Sequence, residues 1–289
     1  MSDVGKIRVR LYGGLGNQIF QFYAGLNASY EFGADLEFDT RWLNAYGSHL
    51  NSNILNFNFM QNMSLVTVEN SQKVNFTYQR IRNKVAQNST LFSKAFCLNV
   101  PKNCGYIDIP MYKKGIELRG YYQSYEYYKN CVLFGAKTNW SQKFDSFYFK
   151  QLKNNYDKKQ FISLHVRGGD YLNKPRIYQQ LGSNYYKNSV RELRRTLGNL
   201  NVYVFSDDES YARYVLRNIK GVNYVDQDEL SASEAMLLMS MGQGLIIANS
   251  TFSYWSAIIN GSSYVIAPKF WFTNMAVSKY LYSPAWQIL

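Results

Sequence analysis

An arginine followed by two glycines stands directly behind an apolar, strand-like segment in the second half of the chain. The segment is Phe161–Val166, and Arg167, Gly168, Gly169 and Asp170 come after it. A guanidinium can hold two oxygens of one phosphate, which a lysine ammonium cannot reproduce. The structural alternative is an ion pair with Asp170 that holds the turn. Because a cation at the end of a buried strand is uncommon without a ligand, we expect Arg167 to bind an anion.

His165 lies two residues before Arg167, so strand alternation places both side chains on one face of the sheet. The imidazole could stack on a nucleotide base or form a hydrogen bond with it. A core histidine whose hydrogen bonds are satisfied within the protein fits the sequence almost equally well, and both interpretations stay open.

A glycine-rich turn lies between the first strand-like segment and the first helix-like segment. Backbone N–H groups converge at a helix start, the helix dipole is positive there, and glycines let a ligand approach the backbone closely. Asn17 and Gln18 would add amide donors, or Asn17 could simply cap the helix. A dinucleotide-binding fingerprint would need a further glycine at Ile19, so the sequence excludes that motif. The expected anion-binding residues are Gly14, Gly16, Asn17 and Gln18.

Another helix start follows a strand-like segment near residue 206. Ser206 and Glu209 have the spacing of a capping box, so we expect them to cap a helix. Asp207 or Asp208 can then accept hydrogen bonds from a nucleotide, and Ser206 lies beside them. With no histidine or further carboxylate nearby, a metal site is the less favoured interpretation.

The last helix start carries hydroxyl groups and follows the strand-like segment 244–248. Hydroxyl and backbone N–H groups in this position can form a second phosphate-binding site. Alternatively, Ser250 or Thr251 caps the helix, and Tyr254 and Trp255 pack in the core. The expected binding residues are Asn249, Ser250, Thr251 and Ser253. These helix starts and Arg167 together predict a pyrophosphate held in a cleft between two domains.

The elements that carry these residues alternate between strand and helix. Apolar residues from Ile7 to Leu11 alternate with arginines as in a strand, and Gly33 should end the helix that follows. Behind Gln160, strand-like and helix-like segments alternate with short connections. This order is typical of a parallel sheet with helices on both faces, in which ligands bind beyond the carboxyl ends of the strands.

The middle of the chain is less regular. Gly115–Asn130 is expected to form a strand, a turn and a tyrosine-rich helix. The polar stretch that ends at Gln160 predicts a domain boundary. We therefore predict an N-terminal domain over residues 1–157, on the acceptor side, and a C-terminal domain over residues 158–289, which binds the nucleotide.

Composition narrows the choice of partners. The chain has 289 residues and a net charge of +12, with three cysteines and two histidines. The charge indicates a phosphorylated substrate or a membrane surface, and nucleic acid is least favoured because the basic residues form no block. Few cysteines and histidines argue against a disulfide framework and a histidine-rich metal site. Without an apolar run of about 18 residues or a signal peptide, we expect a cytoplasmic protein that can rest on the inner membrane face.

Five motifs, in order and spacing, resemble the family 11 glycosyltransferases, the α-1,2-fucosyltransferases. They are "GGLGNQIFQF", "GYYQSYEYY", "HVRGGDY", "VFSDD" and "LLMSMGQGLIIANSTFSYWSA". The resemblance implies a GT-B-like α/β fold of two Rossmann-like domains facing across a cleft. It also implies GDP-β-L-fucose as the donor, inversion at the transferred carbon, the 2-hydroxyl of a terminal galactose as the acceptor, and no metal or other cofactor.

The resemblance further implies that Arg167 is the pyrophosphate ligand. The second arginine that usually follows in the family is Gly168 here. Transfer through an oxocarbenium-like transition state leaves negative charge on the β-phosphate of GDP. We expect Arg167 and the groups at Asn17 and Ser250 to stabilise that charge, and Asp39, Glu126 and Asp170 are unranked candidates for a base.

Two alternatives stay open beside galactoside α-1,2-fucosyl transfer. The same fold could use another sugar nucleotide or form another linkage. A non-catalytic module could bind an anionic glycan or a nucleotide without turnover. For an enzyme, a lipid-linked, galactose-terminated oligosaccharide of a surface polysaccharide such as O-antigen is the expected acceptor, and residues 43–157 are expected to select it.

Overall fold

The chain forms two compact units, Met1–Asn139 and Trp140–Leu289. The computed structural model describes residues 5–43, 54–66, 97–99, 108–109, 115–130, 140–141, 145–156, 160–273, 275–276 and 280–289. Most of residues 43–157, expected to select the acceptor, therefore lies outside the described part of the chain. Among the described residues, no helix combines the length and apolar character needed to cross a membrane.

The division between the units falls earlier in the chain than the predicted boundary after residue 157. Of the polar stretch that ends at Gln160, residues 150–156 lie in helix α2, Phe147–Tyr156, in the second unit. Only Phe149 and Tyr156 of this helix are buried, and the Tyr156 ring lies 5.4 Å from that of Phe161. The polar residues thus form the exposed face of an amphipathic helix and not a linker.

The first unit contains a five-stranded parallel sheet in the order β3-β2-β1-β5-β4. Its elements are β1 Ile7–Arg10, α1 Leu15–Phe32, β2 Leu36–Asp39, β3 Ser64–Val66, β4 Cys97–Asn99 and β5 Ile116–Arg119. The predicted strand, glycine turn and helix at the start of the chain are confirmed, and a second strand, β2, follows them.

Helix α1 packs closely on one face of this sheet. A Cβ atom on Gly25 would lie 2.3 Å from Val9 Cγ2, and the rings of Phe22 and Phe38 stack at 5.3 Å. The helix ends at Gly33, which adopts the left-handed conformation as predicted. Alternation places Arg8 and the other polar strand residues on the opposite face.

The tyrosine-rich segment behind β5 differs from its prediction. The strand is present, but Tyr121–Gln123 are not helical and Tyr125–Tyr127 form a single 3₁₀ turn. Ser124 caps this turn by accepting a hydrogen bond from Glu126 N–H at 3.2 Å. The prediction of an α-helix over these tyrosines is wrong, because Tyr122 takes a positive φ of 51° that no α-helix allows.

The second unit contains a six-stranded parallel sheet in the order β13-β10-β9-β6-β7-β8. Its helices besides α2 are α3 Gly169–Leu172, α4 Ser183–Leu197, α5 Glu209–Leu216, α6 Ala232–Met239 and α7 Thr251–Asn260. Its strands are β6 Phe161–Val166, β7 Asn201–Ser206, β8 Val222–Tyr224, β9 Gly244–Ile246, β10 Val265–Ala267 and β13 Gln287–Ile288. A separate antiparallel pair is formed by β11 Phe270–Phe272 and β12 Met275–Ala276.

Helices cover both faces of the second sheet, as predicted. On one face, Leu164 and its apolar neighbours pack with Tyr186 and Val190 of α4. On the other face, the ring of His165 lies 5.3 Å from that of Phe252 in α7. Strand alternation therefore directs the polar residues of β6 toward the start of α7.

Candidate functional site

Arg167 lies at the carboxyl end of β6, where two carboxylates hold its guanidinium. Its Nη1 lies 2.9 Å from Asp207 Oδ2, and its Nη2 lies 2.5 Å from Asp170 Oδ1. The guanidinium carbon lies 5.0 Å from the centre of the Tyr171 ring. The ion pair with Asp170, which was the structural alternative, is therefore present, and binding of an anion by Arg167 stays a prediction.

The two glycines behind Arg167 fit a turn that packs against the end of β7. Gly168 N–H donates to Asp207 Oδ1 at 2.9 Å. A Cβ atom on Gly168 would lie 2.7 Å from Asp208 Cβ, and one on Gly169 would lie 2.3 Å from Asp207 Oδ2. Position 168, where the resembled family usually has a second arginine, therefore has no room for a side chain beside Asp208.

His165 is buried and uncharged. Burial, and then the positive charge of Arg167, lower the pKa of His165 to about 3. Its Nδ1 is buried without a hydrogen-bond partner in the described part of the chain. A core histidine with satisfied hydrogen bonds does not match this geometry, while contact with a base stays a prediction.

Asp208, and not Ser206, caps helix α5. Its Oδ1 accepts a hydrogen bond from Tyr211 N–H at 2.9 Å. Ser206 is the last residue of β7, and its hydroxyl accepts from Asp208 N–H at 3.0 Å. The predicted Ser206–Glu209 capping box is wrong because the strand continues through Ser206 and Glu209 is the first helical residue, paired with Arg213.

The polar side chains at the start of α7 form hydrogen bonds within the protein. Asn249 is buried, and its side-chain amide donates to the carbonyl oxygens of Gln179 at 3.0 Å and Trp271 at 2.7 Å. Ser253 is fully buried, and its hydroxyl accepts from Ala248 N–H. Ser250 caps the helix, as one interpretation of the sequence expected.

These residues come together at one edge of the sheet. The carboxyl ends of β9, β6 and β7, which are neighbouring strands, carry the α7 start, Arg167 and Asp207 in that order. Ser250 and Thr251 stand at the start of α7, behind β9, and β9 is the strand next to β6, which carries Arg167. The residues predicted in the second half thus share one edge, where ligands of parallel sheets bind.

In the first unit, the glycine turn has a different arrangement from the expected one. Gly14 caps α1, and Asn17 is its third residue, so the alternative of a cap by Asn17 is wrong. Asn17 Oδ1 accepts a hydrogen bond from Gln123 Nε2 at 2.7 Å. Gly14 is exposed, Gly16 is buried in the first helical turn, and Gly13 has a φ of +79°.

Gln18 holds the backbone around the turn. Its side chain is fully buried, donates to the Gly13 carbonyl at 2.7 Å and accepts from Ile54 N–H at 2.9 Å. These two bonds use one of the two N–H groups and one acceptor position of the amide, and the side chain is not exposed. Its assignment to the binding site stays a prediction.

Gln21 was not identified from the sequence. It is fully buried, accepts from Tyr12 N–H at 3.0 Å and donates to the Gly120 carbonyl at 3.0 Å. It thereby joins the loop behind β1, which contains Tyr12, to the loop behind β5, which contains Tyr121. The rings of these two tyrosines lie 5.1 Å apart. The signal that could have found it is a second glutamine, one turn after Gln18, on an otherwise apolar helix face.

The three candidate bases all have cationic partners. Asp39 is fully buried, with its two oxygens 2.8 Å and 2.7 Å from Arg41 Nε and Nη2. Glu126 pairs with Lys129. Partial burial acts to raise the pKa of Asp170, but Arg167 and Lys174 outweigh it and lower the pKa. Asp170 is therefore a weaker base than an isolated aspartate.

A cavity of about 410 Å³ opens beside the carboxyl end of β10. None of the predicted site residues lines it, but the bond from Asn249 to the Gln179 carbonyl connects it to the α7 start. Its lining residues are Gln179, Gln180, Leu181, Gly182, Asn184, Tyr185, Asn188, Pro268, Lys269, Phe270 and Leu289. Among the described residues, no three His, Cys, Asp or Glu side chains are grouped so that they could hold a metal ion.

Two curated proteins are similar to this chain in sequence. The Alpha-1,2-colitosyltransferase of Escherichia coli is 28% identical over 289 residues, covering 94% of each chain. The O-antigen biosynthesis glycosyltransferase WbnK of Escherichia coli is 35% identical over 123 residues, covering 40% of this chain and 41% of WbnK.

A solved structure and a family model are also similar to this chain. The crystal structure of the Bradyrhizobium fucosyltransferase NodZ has a TM-score of 0.51 at 13% identity, covering 89% of this chain and 92% of NodZ. The fold is therefore GT-B-like, with two Rossmann-like α/β units. The model of glycosyl transferase family 11 matches residues 118–289, which is more than half of the chain. The chain belongs to glycosyl transferase family 11 and is a glycosyltransferase.

Proposed function

We propose that this glycosyltransferase moves L-fucose from GDP-β-L-fucose, with inversion, to the 2-hydroxyl of a terminal galactose. The observation that carries the proposal is Arg167 at the carboxyl end of β6, flanked by His165 and the α7 start. A cation and a helix start on neighbouring strands suit the two phosphates of a nucleotide sugar. The α-1,2 linkage is supported by the name of the colitosyltransferase relative.

Departure of GDP is the step that these groups would assist. As the bond between the sugar and the β-phosphate breaks, negative charge grows on the phosphate oxygens. Arg167 and the hydroxyls of Ser250 and Thr251 would stabilise this charge. Because these groups are held in place before the reaction, little reorganisation accompanies the transition state.

The acceptor hydroxyl loses its proton during an inverting displacement. Among the candidate bases, Asp170 is weakened by Arg167 and Lys174, and Asp39 is enclosed by Arg41. Glu126 pairs with Lys129, three residues further along the chain, and both side chains are partly exposed. We propose that proton removal is late and needs only weak assistance, since GDP is a good leaving group.

A second donor is favoured by a specific observation. The colitosyltransferase relative covers 94% of the chain, and colitose is L-fucose without its 3-hydroxyl. A site that donates or accepts a hydrogen bond at this hydroxyl would discriminate strongly between the two sugars, whereas an apolar site would discriminate weakly. We propose a GDP-activated deoxyhexose as the donor class, with L-fucose first and colitose second.

The proposed acceptor rests on the name of a relative, and the proposed location rests on the net charge. The name of WbnK links that protein to O-antigen biosynthesis. We propose a galactose-terminated, lipid-linked oligosaccharide as the acceptor, with the +12 charge favouring peripheral contact with an anionic membrane face from the cytoplasm. We also propose that no metal ion is needed, because Arg167 and the helix starts supply positive charge themselves.

The test uses the purified chain with radiolabelled GDP-fucose or GDP-colitose and lactose as the acceptor. We expect transfer, an α-1,2 linkage by NMR of the product, and unchanged rates in EDTA. If kcat/KM were higher with GDP-colitose than with GDP-fucose, colitose would become the proposed donor sugar instead of L-fucose. If the chain bound GDP in calorimetry but showed no transfer and no hydrolysis of the donor, the proposed enzymatic activity would be overturned and a binding module would be supported. Loss of activity in EDTA, restored by a divalent cation, would overturn metal independence.

A further inference from the structure

The two carboxylates on Arg167 have different partners. Asp207 binds Arg167 through Oδ2 and accepts the Gly168 N–H through Oδ1, both at 2.9 Å. Asp170 binds Arg167 through Oδ1 at 2.5 Å, and its Oδ2 lies 3.3 Å from Lys174 Nζ. Asp207 is thus fixed to the backbone of the turn, whereas the contacts described for the Asp170 carboxylate are to the side chains of Arg167 and Lys174.

Asp170 is also more exposed to solvent than Asp207. The side chain of Asp170 is 48% exposed and that of Lys174 is 49% exposed, whereas Asp207 is 30% exposed. Half-exposed ion pairs are weak because water solvates both charges when the pair opens. The contact between Asp170 and Arg167 can therefore open at small cost, and Lys174 remains as a partner for the carboxylate.

The guanidinium itself is supported from a third side. The Tyr171 ring lies 5.0 Å from the guanidinium carbon and stacks on the Tyr178 ring at 3.8 Å and 7°. The Tyr178 ring in turn lies 5.9 Å from Phe272 of β11. With Asp207 and this column of rings in place, Arg167 keeps its position when Asp170 leaves.

We propose that Asp170 is an exchangeable anion that occupies Arg167 until the diphosphate of the donor replaces it, and that Asp207 is a positioning residue that holds the guanidinium in both states. This inference rests on the proposed function, because it takes a nucleoside diphosphate as the ligand of Arg167. Asp170 then competes with the donor from within the chain, while Asp207 supports donor binding.

The test compares GDP binding, measured by calorimetry, in the wild type and three variants that each remove one negative charge. Asp170→Asn should bind GDP about fivefold more tightly, the size expected for losing a half-exposed competing ion pair. Asp207→Asn should bind about threefold more weakly, because an unanchored arginine must be ordered on binding. Glu192→Gln on α4, which loses a pair with Arg195, is the control and should not change GDP affinity.

Turnover provides a second readout for Asp207. After correction for the folded fraction by circular dichroism, Asp207→Asn should lower kcat as well as weaken donor binding, which a purely structural defect would not do. Equal tightening by both aspartate variants would overturn the inference, because net charge alone would explain it. Tightening by Glu192→Gln to the same extent, or weaker binding by Asp170→Asn, would also overturn it.

The failure of the proposed function has a different signature. If the wild-type chain bound neither GDP nor GDP-fucose, the donor class would be wrong and the inference would fall with it. If the wild-type chain bound GDP but the GDP affinities of the variants did not follow the expected order, the donor class would stand. Only the roles of Asp170 and Asp207 would then be overturned.

Discussion

Replacing Arg167 with lysine separates a catalytic role from a structural one. The guanidinium contacts Asp207 and Asp170 through two different nitrogens, whereas an ammonium is a single point charge. The Arg167 side chain is 29% exposed, so each pair contributes at most about 1 kcal/mol to stability. The expected loss of folding free energy is therefore under about 2 kcal/mol, and the variant should fold.

The expected loss of activity is much larger. Removing one preorganised donor at a developing negative charge costs about 10²–10³ in kcat, or about 2.7–4 kcal/mol. Arg167→Lys should therefore lose most transfer activity in the radiolabelled assay while keeping a cooperative unfolding transition.

Arg213→Lys provides a matched control for this prediction. Arg213 also pairs with a carboxylate, Glu209 at 2.6 Å, and lies over an aromatic ring, Tyr224 at 4.1 Å. It is not among the predicted site residues, so its lysine variant should keep activity within about threefold. If Arg167→Lys also kept its activity within threefold, the diphosphate would not be held by Arg167 and the proposed mechanism would be refuted.

Three further predictions concern the packing around the candidate site. Gly168→Ala should destabilise the fold by about 1–3 kcal/mol in urea unfolding, because its Cβ would lie 2.7 Å from Asp208 Cβ; Gly182→Ala, with no atom within 4 Å, is the control, and equal effects would contradict the reasoning. Gln21→Leu should lower the free energy of unfolding by about 2–4 kcal/mol, because it removes two buried bonds, to Tyr12 N–H and to the Gly120 carbonyl. Gln61→Leu, at an exposed glutamine, is the control and should cost under about 0.5 kcal/mol. Stability should fall as pH drops from about 6.5, since the unfolded chain then protonates His165 and the folded chain does so only near 3. His165→Asn should flatten this fall between about pH 6.5 and 4.5, and an unchanged slope would show that His165 is not buried as a neutral group.

Local patterns predicted the elements, and distant contacts decided the details of the site. Alternation around Ile7 and the apolar segment before Arg167 predicted the strands, and Gly33 predicted the helix end, because each depends on neighbouring residues alone. The pairing of Arg167 with Asp207 depends on the register of β6 and β7, which aligns Val166 with Ser206. No local pattern contains that register.

The errors have the same origin. Ser206 has capping-box spacing, but pairing with β6 keeps it in the strand and transfers the cap to Asp208. The polar stretch before Gln160 resembles a linker, but its residues 150–156 lie in a helix of the second unit, which Phe149 and Tyr156 anchor. In both places the tertiary environment chose between two structures that the local sequence allows.

The close approach of Gly168 to Asp208 restricts the order in which substitutions can occur at these two positions. A side chain of any size at position 168 meets the Cβ of residue 208, which every residue except glycine carries. An arginine could therefore enter at 168 only after the β7–α5 turn had shifted or residue 208 had become glycine, which would remove the helix cap. The two positions are expected to vary as a pair, and introducing an arginine at position 168 would begin with a less stable intermediate sequence.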